Sequence, residues 1–150
     1  MTRTPAQQLR IFLAKFEPRV AASARSALAR LRKRLPGATE LVYDNYNALA
    51  IGFGPGDKAS EAIFSIAVFP RWVSLFFLQG AKLPDPDGLL KGTGAKVRHI
   101  VLTEPGVLEK SSVKKLMAVA MSSAEKPIDP RRRRRLIIKS ISAKQRPRRP

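Results

Sequence analysis

The stretch Ala62–Leu78, AIFSIAVFPRWVSLFFL, decides the fold, because it holds two apolar runs separated by a proline and an arginine. β-Branched and aromatic residues dominate both runs, so each run is predicted to be a strand. Pro70-Arg71 leaves room only for a tight reversal, which makes the two strands antiparallel neighbours. Apolar residues occupy both parities of the second run, which indicates a central strand or an apolar dimer interface. A homo-oligomer therefore stays open.

Further strands are predicted on both sides of this pair. Ala48–Gly54 is a strand-like run that the loop Pro55–Glu61 joins to the first strand of the pair. Leu83–Gly88 has turn chemistry, with aspartate and proline alternating before glycine. Lys96–Leu102 then alternates as a fourth strand. The sequence thus predicts an antiparallel sheet of four or more strands.

Helical periodicity flanks these strands. Apolar residues at i, i+3, i+4 and i+7 predict a helix from Pro5, and Glu17-Pro18 separates it from a second helix that ends at Pro36-Gly37. A third helix is predicted from Ser111 or Ser112, either of which suits an N-cap. Helices segregated from strands indicate the α+β class, with two N-terminal helices and one C-terminal helix packed on the sheet.

The charge is large and unevenly distributed. The 150 residues include 29 Lys plus Arg and 11 Asp plus Glu, a net charge of +18. Residues 126–150 hold 11 basic residues and one acidic residue, so one sixth of the chain carries more than half of the excess charge. We therefore divide the chain into an α+β domain, 1–125, and a basic Arg-rich C-terminal extension, 126–150. Such a balance favours polyanionic partners, nucleic acid above all.

The extension contains five consecutive arginines, which must be solvated or paired with anions. We expect it to contact nucleic-acid phosphates without strong sequence specificity, and expect that deleting 126–150 would remove most of that affinity. Within it, Leu136–Ser142 has strand-like composition and could add to a sheet edge. A solvated tail that only aids solubility is the alternative. The predicted polyanion-binding residues are Arg131, Arg132, Arg133, Arg134, Arg135, Lys139, Lys144, Arg146, Arg148 and Arg149, with Arg25, Arg32 and Lys33 as a second patch.

A second candidate site is a ligand pocket around Val42–Asn47, VYDNYN. Small-ligand sites combine aromatic walls with a few hydrogen-bonding groups, which this segment offers. The alternative is that its polar residues form a turn and both tyrosines pack. The candidate pocket residues are Tyr43, Asp44, Asn45, Tyr46, Arg71, Trp72, Lys91 and Arg98.

The basic glycine segment Leu89–His99, LLKGTGAKVRH, looks like a phosphate cradle. Glycines can aim successive backbone N–H groups at an anion. A phosphate-binding loop of the Walker type, however, lies between a strand and a helix, whereas this segment leads into a predicted strand. We therefore interpret it as a turn that sets strand register. A catalytic base needs a nucleophile or an orienting carboxylate, and Glu104, although near His99 in sequence, lies beyond the end of the predicted strand. No catalytic residue is therefore predicted for this lone histidine.

Several segments together resemble the YdhG-like domain family. They are Leu35–Tyr46, Ala67–Leu78, Gly88–Leu102 and the third predicted helix, and the best marker is Lys-Gly-x-Gly-x-x-(Val/Ile)-Arg, which Lys91–Arg98 matches. The resemblance covers about residues 6–124 and implies a frataxin-like α+β fold. Some members of the family are described as intracellular iron chaperones, which implies a small-ligand or metal-handling domain as the alternative function. Iron prefers carboxylate or imidazole ligands, but the first two predicted helices carry a single acid, Glu17, among many basic residues.

Composition excludes several classes of function. Without cysteine there is no disulfide or thiolate chemistry, and with one histidine a structural zinc site is not expected. The most apolar runs of the sequence are far shorter than the roughly 20 residues of a helical membrane span. The N-terminus lacks the apolar segment of a secretory signal. We therefore expect a cytoplasmic, non-enzymatic protein without a metal or cofactor.

Overall fold

The computed structural model describes residues 2–150, which form three α-helices and a six-stranded sheet. The helices are α1 (Pro5–Ala14), α2 (Pro18–Arg34) and α3 (Ser111–Ser122). The strands are β1 (Thr39–Asp44), β2 (Leu49–Gly54), β3 (Phe64–Val68), β4 (Val73–Phe77), β5 (Arg98–Leu102) and β6 (Arg135–Ile141). Short 3-10 turns lie at Ala59–Glu61, Gly80–Lys82 and Pro105–Glu109.

The helix boundaries follow from local chemistry. Thr4 caps α1, because its hydroxyl accepts a hydrogen bond from the Gln7 N–H at 3.1 Å while the Gln7 side chain accepts one from the Thr4 N–H at 2.8 Å. Pro5 and Pro18 stand at the first positions of α1 and α2, where a missing N–H costs nothing. The predicted break at Glu17-Pro18 is therefore confirmed. In α3 the helix begins at Ser111, and Lys110 occupies the N-cap position without a side-chain cap.

The strand order is β5-β4-β3-β2-β1-β6. The pairings from β1 to β5 are antiparallel, but β6 pairs parallel with β1, so the sheet is mixed. The prediction of an antiparallel sheet is therefore wrong at this edge. The physical reason is the connection: β6 follows α3 and a long crossover, and a crossover of that length can return the chain in the direction of β1. That Leu136–Ser142 adds to a sheet edge is confirmed, since β6 spans most of it.

One face of the sheet, the inner face, carries the helices and the core. In register across the sheet lie Val42, Ile51, Ile66, Leu75 and Ile100, all at most 7% exposed. Helix residues complete the same apolar cluster, among them Leu9, Leu28, Leu31 and Leu116. Each large side chain buried in this way stabilises the fold by about 1.5–3 kcal/mol.

The other face, the outer face, has a different composition. Its middle row in register is Leu41, Gly52, Ser65, Phe76 and His99, and the main core cluster includes none of these five. The β2–β3 loop covers one part of this face, because a Cβ on Gly52 would lie 3.7 Å from the Ala62 Cβ. The helices leave the rest of the outer face uncovered.

Candidate polyanion-binding surface

The chain that follows α3 crosses one end of the sheet before it forms β6. Ile128 is 6% exposed and joins the apolar core. The next residue passes directly over Gly37, where a Cβ would lie 2.0 Å from the Asp129 carbonyl oxygen. Gly37 also has φ +83°, which glycine adopts without strain. The segment before the arginines is therefore held at the α2–β1 turn.

The five arginines lie between this anchor and the edge strand. All of Arg131–Arg135 are exposed, and Arg135 pairs with Thr39 as β6 begins. We call Arg131–Arg135 the arginine cluster. Because both of its ends are fixed, its charges stand at one defined corner of the sheet.

Three members of the cluster have partners within the fold, two through hydrogen bonds and one through an ion pair. Arg131 Nε lies 3.2 Å from Asp129 Oδ1, and Arg132 donates to the Pro55 carbonyl oxygen at 3.0 Å. Arg134 Nε is 4.0 Å from Glu40 Oε2. Arg133 and Arg135 make no side-chain hydrogen bond or ion pair with any of residues 2–150. They are the cations most available to an external anion.

Hydrogen bonds shift the pKa values of two charged groups near the cluster, Asp129 and Lys126. The backbone N–H and guanidinium of Arg131 both donate to Asp129, and these hydrogen bonds lower the pKa of Asp129. On the preceding segment, Lys126 lies 2.9 Å from Glu61, and this hydrogen bond raises the pKa of Lys126. Both charged forms are thus favoured near neutral pH.

The second predicted patch, on α2, is divided by the fold. Arg25 and Lys33 are exposed. Arg32 instead donates two hydrogen bonds, at 2.9 and 2.8 Å, to the carboxylate of Glu40, which is 0% exposed. This bidentate pair satisfies a buried charge, so Arg32 contributes to the fold.

Residues after β6 wrap the turn end, by which we mean the end of the sheet where the β1–β2 and β3–β4 turns lie. Arg148 is 5% exposed, and it donates to Asp44 Oδ1 at 2.9 Å and to the Tyr46 carbonyl at 3.3 Å. Its guanidinium also lies 5.7 Å from the Phe16 ring centroid. Arg149 donates to the Lys15 carbonyl at 3.2 Å. The charge of Arg148 is therefore paired with the Asp44 carboxylate within the fold.

The remaining predicted cations of the extension are exposed. Lys139 donates to the Asp57 carbonyl at 3.1 Å, and the Arg146 guanidinium lies 5.6 Å from the Tyr46 ring centroid. Lys144 is exposed beyond β6. Lys139 thus reaches the same β2–β3 loop that Arg132 of the arginine cluster contacts, whereas Arg146 lies at the turn end.

The structure does not bring the candidate ligand pocket together. Tyr43, Asp44, Asn45, Tyr46, Arg71 and Trp72 lie at or near the turn end, whereas Lys91 and Arg98 lie toward the opposite end, where Lys91 bridges His99 and Arg98 pairs with Phe77. Asp44 is occupied by Arg148. Burial raises the pKa of Tyr43, whose hydroxyl has no partner among residues 2–150.

The glycine segment forms a turn that closes on itself. The Arg98 guanidinium donates to the Val97 carbonyl at 2.8 Å and to the Gly94 carbonyl. Lys91 and His99 exchange backbone hydrogen bonds of 2.8 and 2.9 Å, and Gly92 adopts φ +116°. The segment is therefore a turn, as predicted, and that it sets the register of β5 stays a prediction.

Metal ligands and clefts are the remaining candidates for a functional site. Within residues 2–150, no three of the His, Asp and Glu side chains cluster in a way that could hold a metal ion. A cleft of about 990 Å³ lies between α2 and α3, where Glu109 forms ion pairs with Arg30, Arg34 and Lys114 at 3.3, 3.1 and 3.4 Å.

None of the described helices is long and apolar enough to cross a membrane.

The sequence missed the residues that hold the arginine cluster in place. Gly37, Glu40 and Ile128 anchor the chain around it, but their partners are distant in sequence. The one local signal in the sequence was the glycine after Pro36, because glycine adopts a positive φ without strain.

No protein-family description matches the chain, and neither a curated protein nor a solved structure matches it.

Proposed function

We propose that this protein is a non-enzymatic binding module that contacts nucleic-acid phosphates through the arginine cluster. The observation that carries the proposal is that Arg131–Arg135 are all exposed while the chain on both sides is anchored, by Ile128 and by β6. Fixed, closely spaced guanidinium groups neutralise several phosphates at once and release their counterions. The placement is on a sheet edge without a recognition helix, which favours contact with the backbone over base-specific readout.

The family and compartment belong to the same proposal. We propose a YdhG-like, frataxin-like domain that acts in the cytoplasm. The order of two helices, five strands and a third helix, with the helices on one face, supports this assignment. The iron-handling alternative has no comparable support, because the exposed surface of α2 carries Arg25 and Lys33.

Substitution tests this function better than truncation. Deleting 126–150 would remove β6 and Ile128 and would leave Asp44 buried without Arg148, so weaker binding could reflect a damaged fold. Arg133→Gln/Arg135→Gln removes two exposed charges that make no internal contact among residues 2–150. A matched control is Arg10→Gln/Arg19→Gln, which removes two exposed charges from α1 and α2.

Fluorescence anisotropy with a labelled oligonucleotide, titrated with salt, supplies the measurement. We expect the cluster variant to bind more weakly and its slope of log K against log salt to be shallower by about 0.7–0.9 for each phosphate that it no longer neutralises. The control variant should retain most of the affinity. Equal slopes for the two variants would show that the charge acts only as a diffuse field, and the arginine cluster would not be the site.

A further inference from the structure

The outer face of the sheet carries two stacked aromatic pairs that the arginine cluster does not involve. Phe76 on β4 lies against His99 on β5, with ring centroids 5.2 Å apart and an interplanar angle of 30°. Phe69 and Trp72 flank the β3–β4 turn, with ring centroids 4.6 Å apart and an angle of 18°. Trp72 is 45% exposed although it is a large aromatic residue. Phe69, Phe76 and His99 are half-buried, so the two stacked pairs are partly accessible to solvent.

Between these pairs and β1 the side chains of the outer face are small and several of them are buried, with Ala67 7% and Ser74 1% exposed. The register aligns Ala50, Ala67 and Ser74 in one row and places Gly52 and Ser65 in the next. Larger residues stand at the sides, with Tyr43 on β1 and Phe76 on β4. The β2–β3 loop lies over Gly52, so the part of this face that a planar ligand can reach is formed by β3, β4 and β5.

The charge of this face suits an anion. Outward-facing positions on the six strands include no acidic residue. Basic side chains stand around it instead, with Arg71 beside Trp72, Lys91 beside His99, and Arg135 and Lys139 on β6. A second copy of this chain, itself strongly basic, would meet repulsion here.

We propose that the outer face binds single-stranded nucleic acid, with bases stacked on the Phe76–His99 and Phe69–Trp72 pairs. This inference rests on the proposed function, since the arginine cluster supplies the phosphate contact at the β6 edge. Base–aromatic stacking tolerates every sequence, because each base has a π-face. Sheets that bind RNA commonly present aromatic residues in this way.

Distances on the sheet favour a single strand over a duplex. Trp72 and Phe76 are four positions apart, which is about 13 Å along an extended chain. Neighbouring bases in a stacked strand lie about 3.4 Å apart, so they must splay to reach both platforms, and bases inside a duplex have no free face to stack on either platform. From β4 to β6 there are four strand spacings, about 19 Å, which a short oligonucleotide spans.

Trp72 is the only tryptophan, so its fluorescence reports from the proposed site. The experiment titrates the full chain with an unlabelled oligothymidine of about 12 nucleotides, within the usual site size of a single sheet. A duplex with the same number of phosphates serves as the comparison, and anisotropy follows binding of both. We expect the single strand to quench Trp72 and the duplex to bind without quenching it.

Paired variants separate stacking from apolar packing. Phe76→Ala removes the ring and part of the packing, whereas Phe76→Leu keeps the apolar volume and removes only the π-face. Both should lose about tenfold or more in single-strand affinity, with duplex binding unchanged. Trp72→Ala, at an exposed turn, should do the same, with a loss of stability of only about 0.5–1.5 kcal/mol from the missing Phe69 stack.

The outcomes separate the two proposals. If single strand and duplex bind equally and neither quenches Trp72, the outer face is not the site, while the arginine cluster stands. If Arg133→Gln/Arg135→Gln leaves binding intact while Phe76→Leu abolishes it, the proposed function fails and the sheet face alone binds. Self-association that shields Trp72 before any ligand is added would overturn the inference.

Discussion

Arg148 and Asp44 form a buried ion pair that joins the end of the chain to the first strand. Their side chains are 4% and 1% exposed, and their closest atoms lie 2.9 Å apart. Backbone carbonyls and the Phe16 ring surround the guanidinium, while Lys15 Nζ is 4.0 Å from the second carboxylate oxygen. Desolvating two charges offsets much of their attraction, so removing one partner costs more than the pair contributes.

We predict that Arg148→Met destabilises the protein by about 3–5 kcal/mol, because it leaves the Asp44 carboxylate buried without its main partner. The neighbouring Arg149→Gln is the matched control and should change stability by less than about 0.5 kcal/mol, since Arg149 is exposed. Urea unfolding followed by circular dichroism measures both. The double variant Asp44→Asn/Arg148→Met should recover part of the loss. Equal losses for Arg148→Met and Arg149→Gln would contradict the buried-pair argument.

At the scale of elements, one glycine couples the α2–β1 turn to the segment that leads into β6. Gly37 has φ +83°, and a Cβ there would lie 2.0 Å from the Asp129 carbonyl oxygen. Gly88 has φ +63°, but a Cβ there would meet nothing within 4 Å. The two sites share the backbone conformation and differ only in the close approach.

We predict that Gly88→Ala costs about 1–2 kcal/mol, the penalty of a left-handed conformation for an L-residue. Gly37→Ala should cost about 1–3 kcal/mol more, because the added methyl also displaces the crossing segment. Thermal unfolding of the two variants measures the difference. Hydrogen exchange should show faster exchange in β6 for Gly37→Ala alone. If both variants lose the same stability, the segment does not press on Gly37.

The elements that the sequence predicted are those with local signals. The strands β2 to β5 and all three helices follow from apolar periodicity, proline and turn residues, within about two residues at each end. β1 was missed because Glu40 and Asp44 break its apolar pattern. Both carboxylates are buried against Arg32 and Arg148, and such partners, eight and 104 residues away, leave no local trace.

The same limit applied to the candidate site. Composition predicted a polyanion site at the arginine cluster, but it counted Arg148 and Arg32 by charge, without the carboxylates that pair with them. The outer face gave no signal, because its aromatic residues come from separate strands and only the sheet register brings Phe76 to His99.

For the whole molecule, the net charge of +18 makes the remaining carboxylates important for acid stability. Burial acts to raise the pKa of Glu109, but the attraction of Arg34 and hydrogen bonds from Lys114 and Arg30 outweigh it, so the pKa lies below its usual 4.5. Hydrogen bonds from Arg131 likewise hold the pKa of Asp129 below its usual 3.8. A carboxyl with a lowered folded-state pKa stabilises the fold above its unfolded-state pKa. That contribution is lost as the pH falls through the folded value.

We therefore predict that the melting temperature falls as the pH drops below about 4.5, as these carboxylates protonate and the cations around them repel one another. Glu109→Gln/Asp129→Asn should melt lower than the wild type at pH 7 and lose less between pH 7 and pH 3, so that the two curves converge in acid. Glu125→Gln, an exposed acid outside these ion pairs, should keep the wild-type pH dependence. Circular dichroism melts across this range provide the measurement. Parallel curves for the double variant and the wild type would show that Glu109 and Asp129 do not govern acid stability, and that general repulsion among the 29 lysines and arginines does.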